Sequence, residues 1–140
     1  TNEPNIAYPY LFSYFKGEEW RTQVLTHQLL QTYFKNSPEG LPGNDDTGTM
    51  SAWALFSMMG FYPDCPGEPA YTLTSPVFDK ITLHLDEKQW GRNKLVIETL
   101  RSNPNAVRIE KIEVGGKPWR QYRISHNDLV KAGTLKFTLK

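Results

Sequence analysis

Residues 40–53 read GLPGNDDTGTMSAW, and the rest of the chain can be interpreted around this stretch. It holds three glycines, one proline and two adjacent carboxylates, and it runs directly into an apolar helical pattern. Glycine adopts backbone angles that other residues avoid, and proline fixes φ. The stretch therefore predicts a tight loop that places Asp45 and Asp46 near the start of the next helix.

The two carboxylates allow two interpretations, and their spacing alone does not decide between them. In the structural interpretation, Thr47 or Thr49 caps the helix. The aspartates then interact with the positive end of the helix dipole, which stabilises the helix by about 0.3–1 kcal/mol. In the functional interpretation, two carboxylates on a stiff loop carry out acid–base chemistry or bind a cation.

Length and composition exclude several classes of protein. The 140 residues suffice for one domain with a modest core, and the net charge of +1 gives no case for nucleic-acid binding. Cys65 is the single cysteine, so there is no internal disulfide and no Cys/His metal cluster. No apolar run approaches the roughly 20 residues of a membrane span. The chain begins at Thr1 rather than Met, which suggests a fragment or a processed product.

The first 60 residues predict three helices. Residues 8–15 are almost wholly apolar or aromatic and predict a short buried helix with Pro9 in its first turn. Residues 18–36 show the clearest amphipathic period. Residues 50–59 predict a third helix, ended by Gly60 in the left-handed conformation. This helix is apolar on nearly every side, so three short helices cannot enclose it and further packing partners are expected.

From residue 61 the pattern changes to strands in an antiparallel, sandwich-like arrangement. Gly115-Gly116 predicts a two-residue hairpin turn, with a return strand over residues 119–124. Residues 125–130 predict a helical turn that Gly133 closes. The other predicted strands cover residues 71–73, 80–85, 94–100, 107–114 and 134–139. The sequence thus predicts an α+β fold, with a break between helices and strands near residue 62.

Several motifs together resemble the C-terminal portion of glycoside hydrolase family 92, the calcium-dependent exo-acting α-mannosidases. The central one is GNDDTGTMSAW at residues 43–53, followed by GFYP at residues 60–63. The others, in the family's order along essentially the whole chain, are NEP (2–4), YPYL (8–11), WRTQ (20–23), SPVFDK (75–80), ISH (124–126) and GTL (133–135).

The resemblance implies an architecture and an activity. Residues 1–62 would be the last helices of an (α/α)6 catalytic barrel, and residues 63–140 a small antiparallel β module. The enzyme would be an inverting α-mannosidase of the α-1,2 type that removes terminal mannose from glycans, with Ca²⁺ as cofactor. Its partners would be mannose-containing glycans and the remainder of the full-length enzyme, with no nucleic acid and no membrane span. The family suggests secretion or a periplasmic location.

The resemblance also implies roles for four residues. The family's general base is an aspartate, which the motif places at Asp46 or Asp45, and Asn44 would contact the substrate. Its general acid is a glutamate that would lie upstream of this chain. Glu3 is either a ligand of calcium or sugar, or an exposed turn residue. The alternative to an enzyme is a non-catalytic carbohydrate-binding or structural module.

Overall fold

The computed structural model describes residues 2–140, and these form the α+β fold that the sequence predicts. Two 3-10 helices come first, Glu3–Asn5 and Tyr8–Tyr14. The α-helices are α1 (Glu19–Tyr33), α2 (Thr49–Met59), α3 (Glu87–Trp90) and α4 (His126–Ala132). The strands are β1 (Phe61–Tyr62), β2 (Ala70–Leu73), β3 (Lys80–His84), β4 (Lys94–Arg101), β5 (Ile109–Val114), β6 (Lys117–Trp119), β7 (Arg123–Ser125) and β8 (Thr134–Leu139).

The first predicted helix differs from expectation in type and in burial. It is a 3-10 helix with Pro9 in its first turn, and only Pro9 and Tyr10 of its residues are buried. A 3-10 helix has three residues per turn, so its side chains at every third position eclipse one another. Tyr8, Leu11 and Tyr14 therefore share one face, and that face is exposed.

Helix α2 is flanked at both ends by a glycine in the left-handed conformation. Gly60 ends it with φ of 88°, as the sequence predicts, and a Cβ there would lie 2.6 Å from Cγ of Pro76. At the other end the predicted threonine cap is wrong. Gly48 holds the N-cap position with φ of 90° and no side-chain cap, while the Thr49 hydroxyl donates to the Asp46 carbonyl oxygen at 2.8 Å.

The strands form two sheets, ordered β1-β2-β7 and β3-β4-β8-β5-β6. All pairs are antiparallel except β4 with β8, which is parallel. Parallel neighbours need a long crossover, and the chain from β5 through α4 supplies it. The Gly115-Gly116 turn forms as predicted, with φ of 58° and 76°. The predicted return strand does not stay in one sheet, because β6 pairs with β5 whereas β7 pairs with β2.

One hydrophobic core lies between the two sheets, and a second lies among the helices. The first includes Met59 and Phe61 from the end of α2 and from β1, packed with residues of the larger sheet such as Phe137. The second surrounds Tyr10 and Trp53. A hydrogen bond also joins the helices to the larger sheet: the Gln23 Oε1 atom in α1 accepts the Ile109 N–H in β5 at 2.8 Å. The boundary near residue 62 stays a prediction.

Candidate active site

The loop in front of α2, residues 34–48 and called the aspartate loop below, has an unusual backbone. Gly43 and Gly48 have φ of 83° and 90°, and between them Asp46 and Thr47 have φ of 48° and 61°. These two are the positive-φ residues other than glycine within the described part of the chain. A non-glycine residue in the left-handed region costs of order 1 kcal/mol or more and persists only where its surroundings hold it, often at functional sites. The loop is therefore the candidate site.

Asp45 is fully engaged in the start of α2. One carboxylate oxygen, Oδ1, accepts the Ser51 backbone N–H at 2.8 Å, and the other, Oδ2, accepts the Ser51 hydroxyl at 3.0 Å. The Asp45 carbonyl oxygen accepts the Met50 N–H at 3.1 Å. Asp45 thus satisfies first-turn donors that have no partner inside the helix. The capping that the structural interpretation gives to threonine is carried out by this aspartate.

Asp46 bonds to the start of α2 through its backbone only. Its backbone carbonyl accepts the Thr49 N–H at 3.3 Å and the Thr49 hydroxyl, but its side chain is exposed and accepts no hydrogen bond from residues 2–140. Asn44 is also exposed, and its side chain likewise bonds to no described residue. The loop therefore places one clamped carboxylate beside one accessible carboxylate and one accessible amide.

Glu3 lies in the first 3-10 helix, which begins at this residue. The Asn2 side chain caps the helix by accepting the Glu3 N–H at 3.0 Å, and the Glu3 side chain is exposed without an ion pair in the described chain. Its negative charge reaches the helical core. Burial raises the pKa of the Tyr62 hydroxyl, and the charges of Asp64 and Glu3 raise it further.

Trp53 connects the Glu3 helix with the helix that follows the aspartate loop. Its Nε1–H donates to the Ile6 carbonyl oxygen at 2.9 Å, and Ile6 is the residue that ends the Glu3 helix. The sequence analysis missed this link, because it treated Trp53 only as an apolar residue of α2. A usable signal was present: a buried indole N–H needs an acceptor, so a tryptophan in a buried helix predicts a polar contact.

The described residues do not make a complete calcium site. Residues 2–140 bring no group of three or more His, Cys, Asp or Glu side chains together. Calcium takes six to eight oxygen ligands in proteins. Because the Glu3 carboxylate is exposed, its chemistry fits a single contribution to a ligand set completed elsewhere, and nothing more.

The sequence of this chain matches known glycosidases along its whole length. The model of the glycosyl hydrolase family 92 catalytic domain matches residues 1–140. A curated protein of the fungus Arthroderma benhamiae, described as an uncharacterized secreted glycosidase, is 29% identical over 139 residues. That match covers 99% of this chain and 18% of the fungal protein.

Solved structures of the same family have the same fold. A family GH92 α-mannosidase of Bacteroides thetaiotaomicron, in complex with mannoimidazole, superimposes with a TM-score of 0.88 at 28% identity. A GH92 inverting mannosidase of the same species superimposes with a TM-score of 0.85 at 32% identity. Each match covers 99% of this chain and 18% of the other.

These matches place the chain in a family of glycoside hydrolases. The chain belongs to glycosyl hydrolase family 92, since the family model spans all of it. It spans about a fifth of the length of the relatives that it matches. Among residues 2–140, none of the helices has the length and apolar character that a membrane crossing requires.

Proposed function

We propose that this chain is the C-terminal portion of an exo-acting, inverting α-mannosidase of the α-1,2 type, which removes terminal mannose from glycans. The family match and the likeness to two mannosidases support the substrate class. We propose a secreted or periplasmic location, supported by the description of the fungal relative. The remainder of the full-length enzyme is then this chain's principal partner.

Asp46 is the general base in this proposal. The observation that carries it is the contrast within the loop: both carboxylate oxygens of Asp45 accept hydrogen bonds from Ser51, whereas the exposed carboxylate of Asp46 accepts none from the described chain. A general base must approach the attacking water to hydrogen-bonding distance and take its proton. Asp46 is accessible for this, and the clamp on Asp45 holds the loop from which Asp46 projects.

The general acid lies outside this chain. Inversion requires two carboxyl groups about 6.5–9.5 Å apart, on opposite sides of the scissile bond with room for a water molecule. Asp45 and Asp46 are neighbours on one loop, and Asp45 is committed to the helix start. The pair would be completed by the glutamate that the family resemblance implies upstream of this chain.

In this proposal Asn44 binds the sugar and Glu3 binds the calcium ion beside it. The Asn44 amide can both donate to and accept from sugar hydroxyls, and the Glu3 carboxylate contributes one ligand to a calcium ion whose other ligands come from the rest of the enzyme. When bound, calcium would hold two hydroxyls of the mannose ring and favour its distortion. The chain's own residues hold the backbone of the Glu3 helix through the Asn2 cap and the Ile6 contact with Trp53.

The proposal is tested by Asp46→Asn in the intact enzyme. This change keeps the shape of the side chain but removes the basic oxygen, so turnover falls at least about a hundredfold with little change in melting temperature. Asp45→Asn costs less turnover, because an amide oxygen can still accept the Ser51 N–H. Asp128→Asn is the matched control, since that carboxylate bonds Ser125 in the β module. Near-normal turnover of Asp46→Asn would contradict the proposed role of the loop.

A further inference from the structure

We propose that Trp53 is a positioning residue, whose indole fixes the aspartate loop and the Glu3 helix in one mutual arrangement. The inference rests on the proposed function, in which these two segments carry the base and a ligand. Trp53 itself lies in the core, at 3% exposure, so it acts through the segments that it contacts.

The indole of Trp53 is held on three sides. Its ring stacks on Phe34, with ring centroids 5.4 Å apart and planes at 16°. The Tyr10 ring meets it edge-on at 6.4 Å, and the Tyr10 hydroxyl is itself hydrogen-bonded to Ser57 at 2.6 Å. The Nε1–H completes the set by donating to Ile6. These contacts leave the indole one orientation.

Both ends of the aspartate loop rest on this indole. The loop departs at Phe34, which ends α1 in an extended conformation, and returns in α2 one turn before Trp53. The departure is closed by a hydrogen bond from the Lys35 N–H to the Gly40 carbonyl at 2.9 Å. A Cβ at Gly40 would lie 1.9 Å from the Lys35 carbonyl oxygen, so this closure requires glycine. Movement of the indole therefore shifts both ends of the loop.

The Glu3 helix is tied to the same indole through one residue. The Ile6 N–H donates to the Glu3 carbonyl oxygen at 3.2 Å, and the Ile6 carbonyl accepts from Trp53. The Ile6 side chain also packs against the helical core. Because Ile6 bonds on both sides, the indole N–H sets the distance between the Glu3 helix and α2. A misplacement of 1 Å between reacting groups can cost roughly 10²-fold in rate.

The decisive variant is Trp53→Phe in the intact enzyme, which keeps an aromatic ring and removes the N–H. We expect kcat to fall about 10- to 100-fold with a smaller change in KM, and binding of mannoimidazole to weaken by a similar factor. The matched control is Trp119→Phe, because its Nε1–H also donates to a backbone carbonyl, that of Arg123, at 3.2 Å. That contact lies in the β module, so the control keeps wild-type kcat.

A double-mutant cycle separates positioning from plain loss of stability. If Trp53 acts by aligning Asp46, then Trp53→Phe lowers kcat much less in an Asp46→Asn enzyme than in the wild type, because the aligned group is gone. A general loss of folded protein would lower both enzymes by the same factor. Equal factors in the two backgrounds, or a kcat of Trp53→Phe that matches the Trp119→Phe control, would overturn the inference.

A second variant keeps the inference testable if Trp53→Phe does not fold. Phe34→Leu leaves the indole N–H in place and removes the ring stacked on it, so an intermediate loss of kcat is expected, and a wild-type kcat would overturn the inference. Failure of the proposed function gives a different result. In that case Asp46→Asn retains near-normal turnover, whereas failure of this inference alone leaves Asp46→Asn strongly impaired and Trp53→Phe normal.

Discussion

The helical segment (residues 2–62) and the β module (residues 63–140) bury their large apolar side chains to different extents. In the β module Phe137 is 0% exposed at the centre of a core shared by both sheets, whereas Phe15 in the helical segment is 64% exposed. The helical segment leaves seven such side chains exposed within the described residues: Tyr8, Leu11, Tyr14, Phe15, Val24, Tyr33 and Leu55. The β module leaves four: Val77, Phe78, Trp90 and Leu100.

This difference shows which part of the chain can complete its own core. A domain buries the apolar face of each layer against another layer. The two sheets cover each other, but the helices leave several apolar side chains that no described residue covers. Since the chain spans about a fifth of its relatives' length, we expect the rest of the enzyme to pack against these exposed side chains of the helical segment. The candidate site lies in this less complete segment.

The largest expected effect is that the isolated 140 residues do not hydrolyse mannosides. The proposed general acid is absent, and general acid catalysis alone contributes about 10²–10⁴-fold. The isolated chain also lacks the substrate positioning that the rest of the enzyme would supply. The measurement is mannose release with calcium present, with the intact enzyme as control. Calcium-dependent mannose release by the purified chain would place the acid within it, with Glu3 and Glu39 as first candidates.

Two phenylalanines test the comparison at the level of stability. Phe137→Ala removes a fully buried ring and is expected to cost about 3–5 kcal/mol of unfolding free energy. Phe15→Ala is expected to change the stability of the isolated chain by less than about 0.5 kcal/mol. Urea denaturation of both variants measures these values. In the intact enzyme, Phe15→Ala should lower the stability clearly more. An equally small loss there would mean that the rest of the enzyme does not cover Phe15.

The sequence predicts well those features that adjacent residues determine. Gly60 ends α2, the Gly115-Gly116 turn forms, and β8 spans the predicted residues 134–139, because glycine conformation and alternating apolar residues act locally. Pairing between distant segments was predicted poorly. Two such pairings depend on tertiary packing: β4 pairs with β8 in parallel, and β7 pairs in the other sheet. The sequence of a strand does not indicate which strand lies beside it.

At the candidate site the sequence identifies the loop but not the division of roles within it. Two adjacent aspartates before a helix are equivalent by spacing. They differ because left-handed φ at Asp46 and Thr47 turns the chain here: the Asp45 carboxylate binds Ser51, whereas the Asp46 side chain is exposed. The same turn moves the N-cap to Gly48, which is why the threonine cap was wrong. The buried indole of Trp53 predicts that its N–H has an acceptor, but not that the acceptor is Ile6, which lies 47 residues away in the sequence.

A pair of capping contacts gives a smaller effect. Asp45 accepts the Ser51 N–H in the helical segment, and Ser125 accepts the Asp128 N–H in the β module at 3.0 Å. Asp45→Ala and Ser125→Ala each remove one cap, so each is expected to cost about 1 kcal/mol. Thermal denaturation and turnover of the intact enzyme are measured together. Asp45→Ala alone should also lower turnover, and parallel behaviour of both variants would give Asp45 a purely structural role.

The smallest expected effect is the pH dependence that His27 gives to the helical segment. Burial of this half-buried side chain on α1 lowers its pKa from the ordinary value of 6.5, and the positive charge of Arg101 lowers it further. In the unfolded chain His27 therefore takes up its proton at higher pH than in the folded chain. Unfolding then binds a proton below about pH 6.5, so stability falls as pH drops through that value and is fully present above it.

The measurement is the melting temperature of the intact enzyme between pH 7.5 and pH 5, as wild type, His27→Gln and Arg101→Gln. His27→Gln removes the titrating group, so its melting temperature should fall less on acidification than that of the wild type. Arg101→Gln removes the second cause of the shift and keeps the burial. It should lower stability at neutral pH, because Arg101 bonds to Asp79 and to the Pro76 carbonyl, yet give an acid dependence between the other two. An acid dependence of His27→Gln identical to the wild type would show that other groups titrate and that His27 contributes nothing to the pH response.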